Sequence, residues 1–105
     1  MVGSAKISNL MDVVREKVRQ NDFILMPHAI ERRLQRRLSV NDIVQALITG
    51  WHEPRKDTYQ KEYSAWNYSI RGKTIDNRPL RIVVSFDENA MLVITVIDLQ
   101  RREQR

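Results

Sequence analysis

The chain has 105 residues, 42% of them apolar and 30% charged, with no cysteine and a formal net charge of +5. This length suits one hydrophobic core rather than two, the ordinary apolar fraction argues against wholesale disorder, and the missing cysteine excludes disulfides, thiolate metal sites and a cysteine nucleophile. Met1-Val2-Gly3-Ser4-Ala5-Lys6 contains no apolar run resembling a signal peptide, and no stretch approaches the ~18 apolar residues of a membrane span, so a soluble, cytoplasmic protein with no membrane partner is expected.

Ser8 is placed to cap a first helix, along which Leu10, Val13, Val14 and Val18 recur at helical spacing as one apolar stripe. Asn21-Asp22 ends it. Phe23-Ile24-Leu25-Met26 reads as a short extended piece, because the following Pro27 disfavours helix before it and suits a helix's first position. A second helix is predicted from about Pro27 to Leu38, with Ile30, Leu34 and Leu38 buried and Arg32, Arg33 and Arg36 mainly on the other side. Ser39-Val40-Asn41-Asp42 has the form of a capping box, with Asp in the place of Glu. The third helix it opens should run to about Thr49, burying Ile43, Ala46 and Leu47, with Gly50 as its stop.

Beyond Gly50 the apolar period shortens to two. Trp51 to Thr58 offers an edge strand, weakened by Pro54. From Tyr63 to Arg71 the chain alternates, placing Trp66, Tyr68 and Ile70 on one face, and Gly72 to Asn77 reads as a turn. Leu80, Ile82, Val84 and Phe86 alternate with Arg81, Val83 and Ser85 as a half-buried strand. After a hairpin loop at Asp87-Glu88-Asn89-Ala90, Met91 to Leu99 has the near-continuous apolar run of a central strand. The expected architecture is one α+β domain over residues 1–105. Three helices (about 8–50) pack on a twisted antiparallel sheet (about 51–99) in the order ααα-ββββ, with the first few residues and Gln100 to Arg105 frayed.

The basic balance favours an anionic partner, nucleic acid first and an acidic protein second. His28 falls in the first turn after Pro27, where free backbone N–H groups and the helix dipole attract an anion and favour the neutral imidazole of a general base. Arg32 and Arg36 follow at one-turn spacing, so this face can hold a phosphate while presenting an imidazole. The competing reading is a histidine that hydrogen-bonds a loop beside solvated arginines. A second basic cluster comprises Arg71, Arg78 and Arg81; if Arg81 faces away from the core, it lines a groove with Arg71, and otherwise these cations only guard a sheet edge. Tyr63 shares its strand parity with Asn67 and Arg71 and is the aromatic best placed for a site, whereas Trp66 and Tyr68 read as core. His52 shows no recognisable partner. No HxH or HxxxH spacing, glycine-rich phosphate loop or nucleophile elbow occurs, so neither a metal nor a cofactor is expected.

The order His28, Arg32, Arg36, then Leu38-Ser39-Val40-Asn41-Asp42-Ile43, Ala46-Leu47 and Gly50 continues into Tyr68-x-Ile70-x-Gly72, Arg78-Pro79-Leu80 and Val93-Ile94-Thr95-Val96. Over roughly Phe23 to Ile97 this resembles a family of small bacterial proteins, domain of unknown function 4258. The resemblance implies a toxin of a type II toxin–antitoxin pair, similar to RelE/ParE-like and MqsR-like ribonucleases, with helices on a twisted antiparallel sheet. It further implies a metal-free endoribonuclease acting on mRNA, free or on the ribosome, and a cognate antitoxin of the small zinc-finger kind. In one departure, Ile97 follows Val96 where such proteins often carry a tyrosine, which puts full activity in doubt. The site expected on this footing uses His28 for proton transfer, Arg32 for the phosphate and Tyr63 for stacking or a second proton, with Arg33, Arg36, Arg71, Arg78 and Arg81 contacting RNA. A non-catalytic RNA- or DNA-binding module, a protein-interaction domain and a gyrase poison are the alternatives.

Overall fold

Leu10, Val14 and Val18 form the buried face of helix α1 (Leu10–Arg19) in a computed structural model that describes residues 5–100. The ends expected to fray lie outside these residues apart from Gln100, whose backbone N–H donates to Asp98 Oδ1 at 3.1 Å. Helix α1 starts after Asn9, and the side-chain cap expected from Ser8 is not among its contacts. Asn21, in the left-handed region at φ 58°, turns the chain out of the helix, and Asp22 N–H closes on Lys17 O at 2.8 Å.

The extended piece before Pro27 is a true strand, β1 (Phe23–Leu25), followed directly by α2 (Pro27–Gln35) and α3 (Val40–Thr49). The capping box of α3 forms as the sequence suggests: Ser39 Oγ accepts from Asp42 N–H at 3.0 Å, and Asp42 Oδ2 accepts from Ser39 N–H at 2.9 Å. Then come β2 (Trp51–His52), a 3-10 turn over Pro54–Lys56, β3 (Thr58–Gln60), β4 (Ala65–Lys73), β5 (Pro79–Phe86) and β6 (Met91–Asp98). Pro54 splits the expected edge strand, so β2 and β3 pair with separate halves of β4.

Among the described residues the result is α+β, with three helices and a six-stranded sheet ordered β1-β6-β5-β4-β2, β3 also lying against β4. The sheet is not wholly antiparallel, because β1 pairs in parallel with Met91–Val93 of β6. Ile43, Ala46 and Leu47 of α3 and the buried face of α1 pack on Tyr68, Ile70, Leu80, Ile82, Val84, Val93 and Val96. Alternation along the strands turns Ser69, Arg71, Arg81, Thr95 and Ile97 to the opposite face. Helix α3 lies very close to β4, since a Cβ on Gly72 would stand 2.1 Å from the Ala46 carbonyl oxygen. Gly50 ends α3 at φ −85°, not in a left-handed turn; its lack of a side chain matters because a Cβ would meet Ala46 O and Arg71 O, both at 2.5 Å.

Helix α2 is rotated from the expected orientation. Ala29 is its buried residue, whereas Ile30 and Leu34 are 41% and 61% exposed. The helix stops at Gln35 and Arg37 adopts φ 57°, so the buried Leu38 belongs to the following turn and not to a stripe with Ile30 and Leu34. Small Ala29 lets the helix settle against β6.

Candidate functional site

Because β1 covers only the first part of β6, the rest of that strand's outer side is taken by α2. Pro27 at the first helical position and Ala29 facing inward set the rotation of α2. His28, Arg32 and Arg36, one turn apart, then lie together toward the margin of the sheet face opposite α1 and α3. From the sheet, Arg81 of β5 and Thr95 to Asp98 of β6, with the Asp98 carboxylate that pairs with Arg78, complete a cleft of about 420 Å³. Arg81 stands directly opposite Ile97 across the β5–β6 pair. The condition placed on Arg81 is therefore met: it faces away from the core.

Within the cleft, Arg32 Nε donates to His28 Nε2 at 3.4 Å, and His28 Nδ1 lies 4.0 Å from Glu31 Oε1. An Nε2 that accepts from Arg32 turns its lone pair to the guanidinium, while Nδ1 stands toward Glu31. Neither Arg32 nor Arg36 has an ion-pair partner among the described residues. Arg81 is different: its Nε donates to Glu53 Oε1 at 2.8 Å, while Arg71 Nη1 donates to Glu53 Oε2 at 3.3 Å. The Arg81 hydrogen bond foremost, with charge attraction from Arg81 and Arg71, holds the Glu53 carboxyl below the usual glutamate range against the opposing effect of burial. Glu53 is the neighbour that sequence reasoning missed, because only the pairing of β2 with β4 brings it to Arg71 and Arg81.

Other expected site residues are placed elsewhere or tied to structural partners. Arg33 Nη1 donates to Leu38 O at 2.9 Å and so holds the turn after α2. Arg78 Nη2 reaches both Arg36 O, at 3.0 Å, and Asp98 Oδ2, at 2.6 Å, fastening the end of α2 to β6. Tyr63 is 76% exposed on a 3-10 turn (Lys61–Tyr63), and Ser64 at φ 50° breaks the strand parity assumed for it. From Ala65 to Arg71 alone is roughly 20 Å of strand, so Tyr63 is not brought to His28 and Arg32. Tyr68 is buried and Trp66 half-buried, as their parity suggested. His52 does have a partner: its Nε2 lies 2.8 Å from Asp57 Oδ2, and its ring meets Tyr68 edge-on at 5.9 Å. Among the described residues no three His, Asp or Glu side chains gather as metal ligands, and no helix is long and apolar enough to cross a membrane.

A mixed-sheet α+β domain with a cationic cleft between its second helix and the sheet is the class that these features define. Residues 25–98 match the model of a family described as domain of unknown function (DUF4258), and the chain belongs to that family. No curated protein and no solved structure matches it. The order of motifs from His28 to Val96 thus marked the right family, whose description assigns no activity.

Proposed function

We propose that the cleft binds a phosphate of RNA and that the protein is a metal-free endoribonuclease of the toxin type, acting on mRNA and held in check by a cognate antitoxin. The observation that carries this reading is the convergence of His28, Arg32 and Arg36 with Arg81 in one cleft, the first two arginines without acidic partners among the described residues. A bound phosphate competes for the Arg32 guanidinium and frees the His28 Nε2 lone pair, which then takes the proton of the adjacent 2′-OH. The 2′-oxygen forms a bond to phosphorus as the bond to the 5′-oxygen breaks, and Arg32, Arg36 and Arg81 stabilise the added negative charge. A cyclic 2′,3′-phosphate and a 5′-hydroxyl result. Since Tyr63 is remote, solvent supplies the proton to the departing 5′-oxygen.

A second reading, RNA binding without cleavage, is favoured by one feature: Ile97 lines the cleft at the position where the resemblance places a tyrosine. The test is induced expression of the wild type, His28→Ala and Arg32→Ala in bacteria, followed by growth and the mapping of transcript ends. Growth arrest with new 5′-hydroxyl ends is expected, and removal of His28 should lower cleavage by ~10²–10⁴-fold. Cleavage unchanged in both variants overturns the assignment. Arrest with intact transcripts points to another target, such as gyrase. No arrest, with RNA binding lost in Arg32→Ala, establishes the second reading.

A further inference from the structure

Trp51 is the tryptophan that the core does not use. It is 51% exposed on the edge strand β2, outside the hydrophobic cluster, and its side chain makes no hydrogen bond or ring contact among the described residues. The register places it at the end of a row running straight across the sheet. Trp51 is opposite Arg71, Arg71 is opposite Arg81, and Arg81 is opposite Ile97 in the cleft. Directly opposed residues share a face, so this row joins the phosphate cleft to an exposed indole over three inter-strand steps, roughly 14 Å. That is the reach of a short piece of extended single strand, with two guanidiniums, bridged by Glu53, along its path.

Beside Trp51, at the sheet edge and reaching round it to the α3 side, lies a second hollow of about 500 Å³, lined also by Gln45 and Thr49 of α3 and by Lys73, Thr74, Ile75 and Asn77. Two carboxamides, each both donor and acceptor, stand next to an apolar ring and a cation. This set suits a flat heterocycle whose edge needs hydrogen bonds and whose neighbouring backbone carries negative charge. A duplex presents neither a free base face nor a free Watson–Crick edge.

We infer that Trp51 is the stacking platform of a base-binding subsite, and that the ligand crossing the row Trp51–Arg71–Arg81 toward the His28 cleft is single-stranded RNA. The inference rests on the phosphate-binding reading of that cleft and adds the substrate's strandedness and a specificity position. The unpaired base stacks on the Trp51 indole, its edge meets Gln45 and Asn77, and its downstream or upstream phosphate lies against Arg71.

The test measures binding of the full chain to a short 2′-O-methyl RNA strand, which cannot be cleaved, to the same strand carrying abasic sites, and to its duplex. Trp51→Ala should weaken binding of the intact single strand by roughly 5- to 150-fold, the range for losing one base–aromatic stack. Trp51→Phe should recover most of it. The abasic strand and the duplex should bind weakly to the wild type, and Trp51→Ala should weaken them no further. If Trp51→Ala binds the intact strand as the wild type does while Arg32→Ala loses it, the phosphate cleft stands and the stacking subsite is overturned. A wild type that binds none of the three overturns both. An altered oligomeric mass of Trp51→Ala at unchanged RNA affinity would assign the residue to a protein interface and refute the subsite.

Discussion

Glu53→Gln separates structural from functional electrostatics in the cleft. Glu53 bridges two guanidiniums that face each other across β4 and β5, a like-charge pair that is unfavourable on its own. The 2.8 Å bond from Arg81 is charge-assisted, a class worth ~1.5–3 kcal/mol when well enclosed. The longer and more exposed bond from Arg71 adds under about 0.5 kcal/mol. Glutamine keeps one neutral acceptor, so the expected loss at pH 7 is about 1–2 kcal/mol, or roughly 5–15 °C in Tm for a domain of this size. The carboxyl is held below the usual glutamate range, chiefly by the Arg81 hydrogen bond. Its contribution is therefore complete above ~pH 4.3 and fades as pH falls through the lower folded value. Urea unfolding of both proteins at pH 7 and near pH 3 measures this, and the gap between them should close in acid. Glutamine also leaves Arg81 free for a phosphate, so RNA binding should tighten and log K against log salt should steepen by about 0.7. An equal stability gap at both pH values, or a variant as stable as the wild type at pH 7, would refute the bridging role of Glu53.

Gly72→Ala brings a Cβ to 2.1 Å from the Ala46 carbonyl, so α3 must move; a loss of about 3 kcal/mol is expected, read as a lower midpoint in thermal unfolding. Leu34→Ser should change stability by less than about 0.5 kcal/mol, because that side chain is 61% exposed. Leu38→Ala should cost ~2–5 kcal/mol at a side chain only 2% exposed; denaturant unfolding measures both, and a comparable loss from Leu34→Ser would refute the rotation of α2. Ser39→Ala removes one half of the capping box of α3 and should cost about 1 kcal/mol, measured in the same way.

Where neighbours in sequence decided the outcome, the chain was readable. The capping box, the proline at the start of α2, the alternation along β4 and β5 and the buried residues of α3 need only local rules, and all are present. Legibility failed where distant partners chose between locally equal options. Ile30 and Leu34 make a better apolar stripe than Ala29, yet α2 packs on β6 through the face that carries Ala29, and that long-range contact decides which face of α2 is buried. Parallel pairing of β1 with β6 depends on residues nearly seventy positions apart and leaves no local pattern. The His28, Arg32 and Arg36 spacing was visible in the helix period, while Glu53 and Trp51 became parts of the same surface only through strand register. Arg33 and Arg78 illustrate the converse: as sequence they match the other arginines, and backbone carbonyls claim them.

Arg78 also has a mechanical consequence. Helix α2 is pinned at one end, where Met26 N–H donates to Val93 O at 2.9 Å, and at the other, where Arg78 grips Arg36 O and Asp98 together. It is a beam clamped at both supports, and it cannot swing away from the sheet without breaking one of them. The spacing between the backbone of α2 and the sheet is thus set during folding, before any ligand arrives. Under the proposed reading, a phosphate entering this gap meets a helix already in place, and the conformational entropy of aligning that helix is already lost.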